Sequence, residues 1–369
     1  MRILVLNGGT GTVKAALCEV SQSGVTTVSR EKVEAKGSRD PAALFPEALS
    51  RFGAGLDQVD AVGHRVVHGG TRFNREVWID RDVEAAIEAL VPLAPLHNPV
   101  ALAGIRAARE RLPRARMAAV FDTAFHAARP EVSRYYALPR ELSDSLELYR
   151  YGFHGIAHAS LVEETAAFEK LSPGEVTAVT LQLGQGASAC AVDRGRPVET
   201  SMGFTPLEGL VMGTRSGNID PALVLHLLRG GKSVDEVEEL LTRRSGLLGL
   251  CGSADMRAVL AAETAGDRRA ALAVDLFVRR VVETAGAYFT LLEGRGSLVF
   301  GGGIGENSSE IRRRVAGGLR AFGVELDPDL NGASSPGRIS TPAGRAVYLV
   351  RTDEETHIAR AVARLAEER

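Results

Sequence analysis

The sequence predicts an α/β protein of two domains, and three observations carry that expectation. Short apolar runs alternate with helical patterns along most of the chain, as in sheets covered by helices. Two glycine-tipped hairpins, near residues 8 and 185, each open a block that later carries strand–helix units. At 369 residues the chain exceeds what one hydrophobic core commonly serves. The two blocks read as an internal duplication of organisation, not a short-period repeat, with the halves facing across a cleft.

Composition narrows the function classes. With 45% hydrophobic and 24% charged residues, the chain has the make-up of a soluble globular protein. A formal net charge of -2 gives no reason to expect nucleic acid or an anionic membrane as partner. Cys18, Cys190 and Cys251 are widely separated, so the expectation is no disulfide framework and a cytoplasmic protein. The start, MRILVLNGG, lacks the apolar core of a secretory signal, and no apolar run approaches the ~20 residues that span a bilayer.

In chain order, Ile3 to Leu6 and Val13 to Val20 read as strands around Asn7-Gly8-Gly9-Thr10-Gly11-Thr12, with Lys14 close behind. This loop is neither a Walker P-loop nor a GxGxxG fingerprint. It reads equally as a hairpin with a solvated lysine or as a phosphate cradle with Lys14 as point charge and Asn7 as orienter. Residues 21 to 60 carry little signal beyond an SQSG turn and a helical pattern from Asp40-Pro41 to Phe52. The stretch Asp60 to Gly70 reads as a β-patterned strand that ends in glycines, with His64, His68 and Arg65 inside it; the arginine is an expensive guest unless paired or anion-bound. Asp80 to Leu90 has helical spacing. Prolines make 92–99 a fixed loop, followed by a helix from Val100 to Arg111. Met117 to Phe121 is a strand that ends in Asp122, where α/β proteins commonly place ligand contacts; the alternative for Asp122 is a helix cap.

In the second half, His154 stands between Gly152-Phe153 and Gly155, which leaves its ring room to face a ligand, and a helix follows from Ala159 to Lys170. The hairpin strands Thr177–Leu183 and Ala187–Val192 enclose Gly184-Gln185-Gly186, a tip bare enough for backbone N–H groups to close on an anion. Arg215 sits among small residues in MGTRSG, and arginine is the usual fork for carboxylate or phosphate. Helices are expected at Pro221–Leu228, Val234–Leu241, Arg268–Arg280 and Val281–Leu292, with a glycine loop at Ser245–Gly252. Ser297 to Phe300 is a strand, Gly301–Ser309 a glycine turn, and a helix starts near Glu310. That corner has the form of a nucleotide contact. A strand at Ala346–Val350 and a last helix to Arg369 close the chain.

Eight of these stretches, in this order, resemble the acetate kinase family of the sugar kinase, Hsc70 and actin superfamily: HRVVHGG (64–70), LAPLHNP (93–99), FDTAFH (121–126), RYGFHG (150–155), TPLEGLVMGTRSG (205–217), SGLLGL (245–250), GIGEN (303–307) and TDEE (352–355). The resemblance spans nearly the whole chain. It implies two actin-like (ribonuclease H-like) α/β domains, 1–123 with a returning helix 356–369, and 124–355. It further implies reversible phosphoryl transfer from ATP to acetate, giving acetyl phosphate and ADP, with Mg²⁺ (or Mn²⁺) bound and a homodimeric enzyme.

Residue by residue, the resemblance gives Arg65 and Arg215 to the carboxylate and the phosphoryl group, with His154 donating to that group and Asp122 at the reacting centre. Asn7 and Glu354 would position the metal. Lys14, Gln182, Leu183, Gly184, Gln185 and Gly186, with Gly303, Ile304, Gly305, Glu306 and Asn307, would contact the nucleotide. Asp255, Met256 and Arg257 would flank the nucleoside, and Val67, Leu96, Phe153 and Pro206 would wall the methyl pocket. The chain departs from the family pattern at the second hairpin, where H-x-G-N-G is usual and Gln182-Leu183-Gly184-Gln185-Gly186 stands. Competing readings are a propionate or butyrate kinase, an ATP-binding sensor of reduced activity, and a zinc enzyme using HxxxH at 64–68 or 154–158.

Overall fold

A computed structural model describes residues 1–9, 11–21, 24–35 and 41–368. Thr10 of the first loop, Gln22 and Ser23 of the expected turn, Asp40 of the expected helix and Arg369 lie outside the described residues. The chain divides into two compact units, one of Met1–Ala128, Phe153–Ser160 and Asp353–Arg369, the other of Arg129–Gly152 and Leu161–Thr352.

Among the described residues each unit holds one six-stranded mixed sheet. In the first, β1 (Arg2–Gly8), β2 (Thr12–Ser21), β3 (Gly24–Glu34), β4 (Ala61–Val66), β5 (Val77–Trp78) and β6 (Arg116–Phe121) lie in the order β3-β2-β1-β4-β6-β5. β1 runs parallel to β4 and β4 to β6, while β2 is antiparallel to both its neighbours. In the second, β7 (Ala178–Leu183), β8 (Ala187–Asp193), β9 (Arg196–Thr200), β10 (Ser297–Gly301), β11 (Gly337–Arg338) and β12 (Val347–Leu349) lie in the order β11-β12-β10-β7-β8-β9. β7 pairs antiparallel with β8, and parallel with β10, which pairs parallel with β12. Reversed, that list repeats the first: a three-strand meander, then two parallel strands, then a short antiparallel edge. The duplicated ribonuclease H-like order is the expected fold class.

Strand parity decides what each sheet face meets. Leu4, Leu6, Val13 and Leu17 point to a core with Phe45 and Val100. Ile3, Val5, Ala16 and Cys18 point the other way, to Ile358 and Val362 of the C-terminal helix (Glu354–Glu367). That helix lies so close that a Cβ on Gly63 of β4 would stand 2.7 Å from Ile358 Cγ2. Asn7, two residues beyond Val5, therefore faces the start of the C-terminal helix.

Several elements differ from expectation. β3 carries little signal because its side chains alternate between exposed and half-buried, with Thr, Ser and four charged residues among them, the look of a solvated segment. β9 follows the turn through Pro197, which an edge strand tolerates. The stretch 245–252 is a helix, Gly246–Cys251, with left-handed Gly252 as its C-cap. Arg268–Leu291 is one helix of 24 residues, capped by Asp267 and carrying buried side chains at helical spacing along its length. The helix expected at 159–170 spans Gly155–Glu169, and the one expected from Val100 begins at Asn98, with Pro99 in the first turn, where its missing N–H costs nothing. The glycine turn at 301–309 is largely a short helix, Gly302–Asn307. No helix among the described residues is long and apolar enough to cross a membrane.

Three buried histidines of the first unit make its stability pH-dependent. Burial holds His64 and His158 down to about 3 and His68 to about 4, so all three are neutral in the folded state. The unfolded chain protonates them near 6.5, and it then binds more protons than the folded one. Stability is full above that value and falls as pH drops, by up to about 1.4 kcal/mol per pH unit for each histidine. Urea unfolding at pH 7.5, 6 and 5 should show that decline, and His64→Gln should remove about one proton from the slope. An unchanged slope in that variant would rule out His64 as a source.

Candidate functional site

In the first unit, three parallel strands bring polar groups to adjacent C-terminal ends, the usual ligand side of such a sheet. Alternation along β4 and β6 places Arg65 and Asp122 on the same face as Asn7 (residues 61, 63, 65 and 118, 120, 122). Arg65 Nε lies 3.3 and 3.1 Å from the two Asp122 oxygens, and Nη2 donates to Asp122 Oδ2 at 2.7 Å. Its other arm, Nη1, donates to Asn7 Oδ1 at 3.1 Å and stands 3.9 Å from Glu354 Oε2. The Asn7 amide nitrogen donates to Glu354 Oε2 and to Glu355 Oε1, each at 2.8 Å. Arg65 is thus held charged: burial works against its proton, and Asp122 and Glu354 more than offset this. Burial pushes the Asp122 carboxyl upward against the pull of Arg65.

His154 joins this group through the backbone. It has φ 58, left-handed for a residue with a Cβ, and the next N–H, of Gly155, donates to the Asp122 carbonyl at 2.9 Å. Phe153 and Val67 are buried, and the Phe153 ring meets His68 edge-on at 5.4 Å. Leu96, by contrast, is 45% exposed. Lys14 is exposed and pairs with Asn7 in the β1–β2 register, on the same sheet face.

In the second unit, Arg215 is half-buried, and its Nη1 donates to the Pro206 carbonyl at 3.2 Å. Burial lowers its pKa, and among the described residues no carboxylate forms an ion pair with it. The loop that carries it is pinned by the helix Gly246–Cys251, where Leu247 and Leu248 N–H groups donate to the carbonyls of Met212 and Gly213. The Gly213 N–H in turn donates to the Gln185 carbonyl at 3.0 Å. At the hairpin tip the Gly184 N–H is taken by the Gly186 carbonyl at 3.0 Å, while Gln185 is exposed and Leu183 buried.

The corner after β10 is tied across three strands. Thr352 Oγ1 donates to Gln182 Oε1 at 3.0 Å and accepts the Gly302 N–H at 2.9 Å. Glu306 Oε1 accepts the N–H of Gly302 at 3.1 Å and of Thr352 at 3.0 Å. Gly303 and Asn307 are exposed, Ile304 half-buried and Gly305 buried, and Asn307 Nδ2 donates to the Gly303 carbonyl. Asp255 caps the helix Met256–Thr264 and pairs with Arg257 at 2.8 Å, which holds its carboxyl down to about 2; Met256 is buried.

Among the described residues no three His, Cys, Asp or Glu side chains gather as a metal cage. The oxygens of Asn7 and Glu354 are hard donors of the kind that divalent cations take, and in the structure they accept from Arg65 and from the Asn7 amide. Sequence reasoning missed three participants. Glu355 orients Asn7, and Arg30 of β3 pairs with Asp353 and approaches Glu355 at 3.8 Å. Arg312 is fully buried, and its donors reach Gly305 O (2.7 Å), Glu306 O (3.0 Å), Asn331 Oδ1 (2.7 Å), Asn331 O (2.6 Å) and Ser334 Oγ (2.9 Å). In sequence it is one of three consecutive arginines, which look like a solvated face.

Comparison with known proteins follows the same lines. The model of the acetokinase family matches residues 28–360. The chain is 44% identical to an acetate kinase of Streptomyces coelicolor, over 97% of this chain and 95% of that protein. It is 45% identical to one of an Arthrobacter species, over 98% of each. Among solved structures it is similar to the acetate kinase of Porphyromonas gingivalis (33% identity, TM-score 0.87, 99% of each chain). It is equally similar to a propionate kinase of Francisella tularensis (35% identity, TM-score 0.88, 98% of each chain).

Arg312 generates a prediction. Arg312→Met strands the carbonyls of Gly305 and Glu306 and the Asn331 amide, each a buried group left without its donor. The second unit should lose about 3 kcal/mol or more, read as a lower thermal midpoint, and nucleotide affinity should weaken in calorimetry. Arg312→Lys should recover only part, because one ammonium cannot reproduce the planar fork. A wild-type midpoint and affinity for Arg312→Met would remove this role.

Proposed function

Because the chain belongs to the acetokinase family, we propose that it is an acetate kinase, transferring the γ-phosphoryl group of ATP reversibly to acetate. The observation that carries this is Arg215: a half-buried cation whose pKa burial lowers and which has no carboxylate partner among the described residues. Such a group is costly until an anion arrives, and the transferring phosphoryl group is one. Arg65, whose Nη1 arm faces Asn7 and Glu354, is assigned the acetate carboxylate. His154 donates to the equatorial oxygens, and Asp122 fixes the Arg65 fork at the reacting centre. Acetate is already ionised and needs no strong base, so catalysis rests on orientation and on neutralising like charges.

For the nucleotide, Gln182–Gly186 and Gly303–Asn307 are assigned to phosphates and ribose, Asp255, Met256 and Arg257 to the nucleoside, and Lys14 to phosphate charge. Val67, Leu96, Phe153 and Pro206 are assigned to the methyl group. Mg²⁺ would be held by Glu354 and Asn7, where it would neutralise phosphate charge. A homodimer is supported by the helix Pro221–Arg229. It carries five aliphatic side chains beyond Pro221 and Ala222, buries none of its residues, and leaves Leu223 and Leu225 about half exposed. Three free thiols accord with a cytoplasmic setting.

The test is acetyl hydroxamate formation from acetate, MgATP and hydroxylamine. The wild-type protein should form it, and kcat/KM for acetate should exceed that for propionate by a modest factor, about 10- to 200-fold at most, as one methylene allows. Arg215→Lys keeps the charge and loses the fork, so kcat should fall about 100-fold or more. A protein that binds ATP and forms no hydroxamate would return the sensor reading, and a near-wild-type Arg215→Lys enzyme would detach that residue from the phosphoryl group.

A further inference from the structure

His126 lies in the 3-10 turn Phe125–Ala128 that follows Asp122, and it is completely buried. Its Nε2 stands 2.9 Å from the carbonyl oxygen of Phe153. A carbonyl can only accept, so Nε2 carries the proton and donates. The Phe153 carbonyl belongs to the peptide that precedes His154. The peptide that follows His154 is held separately, since the Gly155 N–H donates to the Asp122 carbonyl at 2.9 Å.

The φ and ψ of a residue are the relation between its two flanking peptide planes. At His154 both planes are therefore pinned, one by the His126 side chain and one by the Asp122 backbone. The conformation they impose has φ 58, the left-handed region that a Cβ disfavours and that persists only where its surroundings over-determine it. The anchor at Gly155 tolerates no side chain, because a Cβ there would lie 2.1 Å from the Asp122 carbonyl oxygen. The His154 carbonyl then accepts the His158 N–H and opens the helix Gly155–Glu169. His126 itself sits edge-on to Phe125 at 5.5 Å and to His158 at 5.8 Å. An apolar ring at this position would leave the Phe153 carbonyl without this donor.

We propose that His126 is a positioning residue that holds His154 in its left-handed conformation through the Phe153 carbonyl and so aims the His154 ring. The proposal rests on the assignment of His154 to the phosphoryl group in flight. It gives the histidine that ends the FDTAFH stretch a role separate from that of Asp122, four residues earlier: Asp122 fixes Arg65 with its side chain, and His126 fixes His154.

The experiment compares His126→Phe, which keeps a ring and loses the donor, with His126→Gln, whose amide N–H can reach the same carbonyl. Both are made in the wild-type and the His154→Ala background. His126→Phe should lower kcat about tenfold or more while KM for acetate and ATP stays within about twofold, and His126→Gln should recover most of the loss. In the His154→Ala background His126→Phe should cost almost nothing further, since it acts through the ring already removed. A second readout is independent of activity: amide exchange in peptides covering residues 152–157 should quicken in His126→Phe and not in His126→Gln. Wild-type kcat in His126→Phe, a full penalty on top of His154→Ala, or unchanged exchange would each overturn the proposal. If the unsubstituted protein phosphorylates no carboxylate, the assigned reaction fails, and the exchange comparison still decides whether His126 holds the turn. If His126→Phe does not fold, His126→Asn, whose amide falls a bond short of the carbonyl, takes its place in both readouts.

Discussion

A guanidinium largely withdrawn from water must have its donors met, and in the first unit the requirements of Arg65 organise everything around it. Two of its nitrogens are taken by Asp122 and the third by Asn7. Those partners can meet only because β1, β4 and β6 are adjacent and parallel, and because strand parity turns residues 7, 65 and 122 to one face. Glu354 and Glu355 reach the same spot because the C-terminal helix crosses that face, and it crosses closely because position 63 has no side chain. Removing any one of these conditions would leave a buried charge or amide unpaired, at far greater cost than a lost surface contact. The arrangement also leaves Arg65 little freedom to swing. Its charge is held in one place by partners on three strands and the C-terminal helix.

The second unit repeats the strand order and solves the same problem mostly with neutral groups. At the ends of β7 and β10 and just past β12, a glutamine, a threonine and backbone N–H groups close the corner, with the Glu306 carboxylate spanning two of those N–H groups. The buried cation beneath it, Arg312, is bonded to carbonyls, an amide and a hydroxyl. Carbonyl dipoles satisfy a guanidinium without cancelling its charge, so the short helix Gly302–Asn307 has a net positive group at its C-terminal end. That is the favourable sense for a helix dipole, and it steadies an element of only six residues that propensity alone would not hold.

How much of this was legible in the sequence follows from what each signal needs. The strands carrying Asn7, Arg65 and Asp122 read easily, because a polar residue stranded at the end of an apolar run stands out. That those three side chains touch could not be read, since contact depends on which strands are neighbours. β3 was missed because exposure on most of its length replaces apolar alternation with Thr, Ser and charged residues, yet it supplies Arg30 to Asp353 and Glu355. Arg312 was hidden by Arg313 and Arg314, which are ordinary surface partners of Glu310 and, for Arg314, Glu263. The helix Arg268–Leu291 reads as two in sequence, although no proline or glycine interrupts it before Gly286.

The departures from the family pattern at the second hairpin gain a physical reading from the same contacts. Gln182 offers its side-chain carbonyl to Thr352, whose hydroxyl then holds the Gly302 N–H. A glutamine acceptor does not titrate, whereas an imidazole in its place would change from acceptor to donor near neutral pH. Gln185 engages Gly213 through its backbone carbonyl, a contact indifferent to one additional methylene in the side chain. Both substitutions therefore fall where the chain binds itself by groups that tolerate them, and the geometry of the corner depends on neither an ionisable ring nor the length of an exposed amide. What changes is the chemistry displayed beyond that scaffold: one charge state fewer at 182, and a longer, exposed side chain at 185.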